Sequence, residues 1–123
     1  TIAELGGIPP LISLIGSSEE NVQIEAVAAL ANLAVNDENE VSIGEKGALP
    51  LILGCARSSN VELLAQASRA LRNLSVDAGN KDIIYSCGGY ELLQELSESR
   101  HERIAAQARR ALVNLGKGNS NRK

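Results

Sequence analysis

Apolar residues recur along this chain at two spacings: three and four residues within a segment, and 41 residues between segments. Val22, Ala26, Ala29, Leu30 and Leu33 trace one face of a helix. The same face returns as Leu63, Ala67, Ala70, Leu71 and Leu74, and again as Ile104, Ala108, Ala111, Leu112 and Leu115. Spacings of three and four are the signature of an amphipathic helix with one buried stripe. Three long helices are therefore predicted, over about 20–35, 61–76 and 102–116.

Shorter elements fill the space between them. Residues 39–46 and 80–87 read as a short helix halted at Gly47-Ala48 or Gly88-Gly89, where glycine supplies the backbone freedom of a sharp turn. Gly6-Gly7 is the same corner in the first copy. A second short helix follows over about 8–16, 49–57 and 90–98, with Pro9 and Pro50 near its start, where a missing N–H costs little. The polar stretches Ser17-Ser18, Ser58-Ser59-Asn60 and Ser99-Arg100-His101 then interrupt the pattern and offer caps to each long helix.

Three in-phase copies without a gap predict an all-α fold, an α-solenoid whose units bury their apolar faces only against one another. The units run about 1–38, with the first helix truncated, then 39–79 and 80–116. Residues 117–123 read as a flexible basic tail or the start of a further unit. Thr1 falls in phase with Ser42 and Ile83, and Asn121-Arg122-Lys123 with Asn80-Lys81-Asp82, so a longer array cut on both sides is expected.

Composition narrows the chemistry. With two Tyr and no Phe, Trp or Met, the core must be built from Leu, Ile, Val and Ala. Cys55 and Cys87 occupy different phases of the repeat, which argues for buried reduced thiols and against a repeated metal site. No metal and no cofactor are expected. His101 has no in-phase histidine and no nearby cysteine, and so lacks the convergent partners that catalysis or metal binding requires. Gly116-Lys117-Gly118 lacks the spacing of a phosphate-binding loop. Asn73-Leu74-Ser75 matches a glycosylation sequon but falls inside a predicted helix. An enzyme is therefore not expected. A pI near 5.2 and two Tyr argue against nucleic-acid binding, and no apolar run is long enough to span a bilayer. The expected compartment is the cytoplasm, with the nucleus as the alternative.

Charge is strongly polarised. Residues 1–41 hold seven acids and no Lys or Arg, a net −7; residues 42–82 hold five bases and four acids, +1; residues 83–123 hold seven bases and four acids, +3. Opposite the apolar stripe of each long helix stands a polar set: Glu25, Ala28 and Asn32, then Gln66, Arg69 and Asn73, then Gln107, Arg110 and Asn114. These nine positions form a ladder across the stack.

The segment Gly-Gly-Ile-Pro-Pro-Leu-Ile at 6–12, with Ala29-Leu30-Ala31-Asn32-Leu33-Ala34, closely resembles the armadillo repeat. The later copies match through Gly47-Ala48-Leu49-Pro50-Leu51-Ile52 and Ala70-Leu71-Arg72-Asn73-Leu74-Ser75, and through Gly88-Gly89-Tyr90 and Ala111-Leu112-Val113-Asn114-Leu115-Gly116. The resemblance covers residues 1–116. It implies a right-handed superhelix of three armadillo repeats of about 41 residues, whose third helices line a concave groove that binds partner proteins, often as extended segments.

Asn32, Asn73 and Asn114 are the leading binding residues, because a side-chain amide can pair with both the N–H and C=O of an extended peptide. The alternative is that each bridges neighbouring helices within the solenoid. Members of the family that bind basic import signals carry Trp four residues before the Asn; here those positions are Ala28, Arg69 and Arg110, which resembles the scaffold and adhesion branch. Arg69, Arg110 and Arg72, with Gln66, Gln107 and Glu25, complete the expected partner-binding set, and the partner expected is an acidic extended protein segment. A structural spacer, or end-to-end self-association of neighbouring repeats through faces exposed at the ends, is the alternative function.

Overall fold

In the computed structural model, which describes residues 7–116, the chain forms eight helices: α1 Ile8–Ile15, α2 Glu20–Leu33, α3 Asp37–Glu45, α4 Ala48–Cys55, α5 Val61–Leu74, α6 Ala78–Ser86, α7 Gly89–Leu96 and α8 Glu102–Gly116. The long helices α2, α5 and α8 pack side by side in sequence order, and the short helices form the opposite layers. The tail at 117–123 lies outside the described residues. No helix among the described residues is long and apolar enough to cross a membrane.

The corners follow from local chemistry. Gly47 and Gly88 adopt left-handed backbone with φ of 87° and 77°, a region costly to any residue with a Cβ. Ser17, Ser58 and Ser99 share one phase of the repeat and perform one task. Their hydroxyls accept the backbone N–H two residues on, at 3.0, 2.9 and 3.0 Å, and turn the chain into each long helix. The short helices α3 and α6 are capped in phase too, by Asn36 and Asp77, and begin two residues earlier than the apolar pattern predicted.

Burial along the stripe shows which way each residue faces. Leu63, Ala70 and Leu74 of α5 and Ile104, Ala111 and Leu115 of α8 are buried, yet their counterparts Val22, Ala29 and Leu33 of α2 are only half-buried. Those positions face the preceding unit, and α2 has no described long helix on that side. Leu112 shows the converse: Leu30 and Leu71 are buried, while Leu112, at the far end of the stack, is half-buried. Each unit thus completes its core with its neighbours.

Polar side chains lock the short-helix layer. Glu40 is 4% exposed, and its Oε2 accepts the N–H groups of Val76 and Asp77 at 2.9 and 2.6 Å, so one carboxylate of α3 holds the corner that leads into α6. Asn80 is also buried and donates to the Glu40 carbonyl at 3.0 Å. Its amide fills the space beside Gly44, where any Cβ would overlap it. Cys55 is buried and burial pushes its thiol pKa up; Cys87 is only half-buried, and both are free thiols.

Two outcomes follow from these contacts. Gly44→Ala gains helix propensity but must displace Asn80, and should lower the unfolding free energy by about 2 kcal/mol in urea titration. Burial raises the Glu40 pKa above its ordinary 4.5, the largest influence on it, against the opposing backbone hydrogen bonds from Asp77 and Val76. A raised carboxyl pKa contributes stability fully present below the unfolded-state value and lost as pH rises through the folded-state value. The stability of the native chain relative to Glu40→Gln should therefore be greater at pH 4 than at pH 7.

Candidate functional site

The last four carbonyls of a helix have no partner within it. At the end of α2, the Leu30, Asn32 and Leu33 carbonyls are taken by the N–H groups of Ala34, Val35 and Asn36. The Ala31 carbonyl is taken by Asn73, whose Nδ2 donates to it at 2.9 Å from the next long helix. One unit later Asn114 repeats the contact, donating to the Arg72 carbonyl at 3.0 Å and to Ser75 Oγ at 3.2 Å. The bridging role is thus present in the folded chain at Asn73 and Asn114, two of the three asparagines at this phase.

Bridging leaves part of each amide unused. No described residue donates to Oδ1 of Asn73 or Asn114, and Asn73 keeps a second N–H. Both residues are half-buried, and no side-chain polar atom without a hydrogen-bond partner is buried among the described residues. Asn32 is exposed, and its Oδ1 accepts from Arg69 at 2.9 Å.

The arginines differ in how committed they are. Arg69 lies back across the preceding unit, donating also to the Ala28 carbonyl at 3.3 Å and to Gln66 Oε1 at 2.8 Å. Gln66 in turn donates to Glu62 at 2.9 Å, and Glu62 pairs with Arg103 at 3.1 Å. Hydrogen bonds from Arg103 and then Gln66 hold the Glu62 carboxyl below the usual range. Arg72 donates to Gln107 Oε1 at 3.1 Å, and Arg109 pairs with Glu102 at 3.1 Å on the exposed face of α8. Arg110 and Glu25 are exposed and make no hydrogen bond or ion pair with any described residue.

Some of these side chains meet at a cavity of about 590 Å³ between the C-terminal parts of α2, α5 and α8. Asn73, Asn114, Arg72 and Arg110 line it, joined by residues that the periodicity did not single out: Asp37 and Glu40 from α3, and Val35, Val76 and Val113. The three valines are 74%, 57% and 57% exposed, an apolar surface open to solvent. Val35 and Val76 are in phase just past the ends of their helices, and that was the available signal. Asn32, Gln66, Arg69, Gln107 and Glu25 lie outside the cavity lining. Among the described residues no group of His, Cys, Asp and Glu could hold a metal ion.

A sequence model of the Armadillo/beta-catenin-like repeat matches residues 1–35 and 36–76. No curated protein matches the chain. Among solved structures, an engineered protein is 34% identical with a TM-score of 0.89, covering 93% of this chain and 47% of its own. A designed armadillo repeat protein is 28% identical with a TM-score of 0.87, over 93% of this chain and 49% of its own. A second, in complex with the peptide (KR)4, is 28% identical with a TM-score of 0.84, over 93% and 48%. The chain spans about half the length of these structures.

Removing one bridging amide should cost stability before any ligand is considered. Asn73→Ala leaves the Ala31 carbonyl without a donor in a half-buried setting and should lower the unfolding free energy by about 1 kcal/mol, measured by urea denaturation of the protein alone.

Proposed function

The chain belongs to the Armadillo/beta-catenin-like repeat family, and from that premise we propose that it is a protein-interaction scaffold whose groove holds an extended, acidic partner segment. The observation that carries this reading is the half-used amide ladder. Asn73 and Asn114 are fixed by their bonds to the preceding helix, yet each retains an acceptor. An amide already immobilised pays little further ordering entropy when it pairs with a ligand backbone. Long helices packed about 10 Å apart match the reach of roughly three extended residues, so the ladder can keep step with a strand-like segment.

Charge decides the side chains. Arg110 is exposed and has no hydrogen-bond or ion-pair partner among the described residues, and Arg72 and Arg109 stand in the same cavity. Burying any of these cations against a basic ligand would be unfavourable, whereas a carboxylate would form charge-assisted hydrogen bonds. A peptide such as the (KR)4 bound by the designed relative would meet like charge here. Arg69 contributes less to selection than its phase implies, since its guanidinium is engaged by Asn32, Ala28 and Gln66. It and Gln66 act by stiffening the ladder. Glu25, Asn32 and Gln107 complete the proposed surface. The division into units at about 1–38, 39–79 and 80–116, and a cytoplasmic setting, belong to the same proposal.

Fluorescence polarisation against extended acidic and extended basic peptides, at low and physiological salt, tests the reading. The acidic peptide should bind, more tightly at low salt, and Arg110→Glu should weaken it about tenfold. Binding of neither peptide would overturn the reading in favour of a structural spacer.

A further inference from the structure

The cavity carries charge of both signs. Arg72, Arg109 and Arg110 enter it from α5 and α8, Asp37 and Glu40 from α3, and exposed valines lie among them. Most of these charges are already committed. Glu40 accepts the N–H groups of Val76 and Asp77, Arg72 donates to Gln107, and Arg109 pairs with Glu102. Asp37 and Arg110 are exposed and have neither a hydrogen bond nor an ion pair with any described residue. They do not reach each other, for Asp37 follows the end of α2 while Arg110 lies on α8, with α5 packed between those helices.

A uniformly acidic segment satisfies Arg110 but brings its other end against Asp37, with Glu40 one turn further along the same helix. A uniformly basic one meets the reverse conflict at the arginines. Building on the groove reading, we infer that the cavity selects a bipolar segment, with a carboxylate against Arg110, an apolar side chain over Val35, Val76 and Val113, and a cationic side chain against Asp37. Two helix-to-helix steps of about 10 Å separate α2 from α8, and an extended chain advances about 3.3 Å per residue. The cation and the carboxylate should therefore stand roughly six residues apart. The chain's own sequence favours such a division, since its acids concentrate in residues 1–41 and its bases in residues 83–123.

The test uses fluorescein-labelled peptides of about 12 residues on a Gly/Ser background with a central Val, a length that covers the two helix steps with margin. One carries an Asp pair at one end and a Lys about six residues away; a second has that Lys replaced by Ser; a third places the Lys next to the Asp pair. At low salt the first should bind about two- to fivefold tighter than the other two, the range of an exposed charge pair, and the advantage should shrink as salt rises. Asp37→Asn should abolish that advantage while leaving the acid-only peptide bound at least as tightly as before. Asp37→Ser is read instead if a circular-dichroism melt shows that the Asn variant has lost helix. Equal binding of the three peptides to the native chain, or an advantage that survives both substitutions, overturns the inference and leaves the groove reading standing. Binding of none of the peptides overturns both.

Discussion

The close approach of α2, α5 and α8 is the constraint from which the rest follows. It is made possible by alanines at fixed phases: Ala26, Ala67 and Ala108 are all within 1% of complete burial, and Ala70 and Ala111 are fully buried. A larger side chain there would push the helices apart, because packed interiors tolerate little added volume. At this spacing an asparagine on one helix can reach a terminal carbonyl of the helix before it. The apolar stripe and the amide bridge therefore serve the same end, one by excluding water and the other by satisfying a backbone group that the helix itself leaves open.

That coupling has a functional consequence. The cavity is lined by side chains that belong to the stack as well as to the surface, so its shape depends on the same bonds that hold the helices together. Asn73 cannot rotate freely without releasing the Ala31 carbonyl, and Arg69 cannot extend into solvent without breaking its bonds to the preceding unit. Preorganised polar groups lose less entropy on binding than mobile ones. The same dual use means that a loss of binding in an Asn73 variant reports two effects, and stability must be measured beside affinity. Arg110 stands apart: it makes no hydrogen bond or ion pair with any described residue, so its substitution removes no polar tie within the described stack.

The short-helix layer adds a second set of ties between units. Glu40 spans from α3 to the corner before α6, and Asn80 returns to the Glu40 carbonyl. Burial raises the pKa of that carboxyl, while its Oε2 accepts the backbone N–H groups of Val76 and Asp77 at the corner. Glu40 also lines the cavity, so a residue that ties successive units together adds its charge to that surface.

Periodicity alone determined the architecture. The 41-residue step, the stripe at three and four, the corner glycines and the serines at 17, 58 and 99 are local or repeated signals, and local signals are legible in one dimension. The sequence also brought the asparagines and arginines to one face. It left undecided whether each asparagine bridges helices or faces a partner, because both uses require the same residue at the same phase. Only the folded chain decided that Asn73 and Asn114 bridge while keeping acceptors unused, that Arg69 is engaged and Arg110 is not, and that Asp37 shares a cavity with the arginines. Those outcomes depend on distances between residues some 40 positions apart, which are set by how the helices stack and which no spacing along the chain encodes.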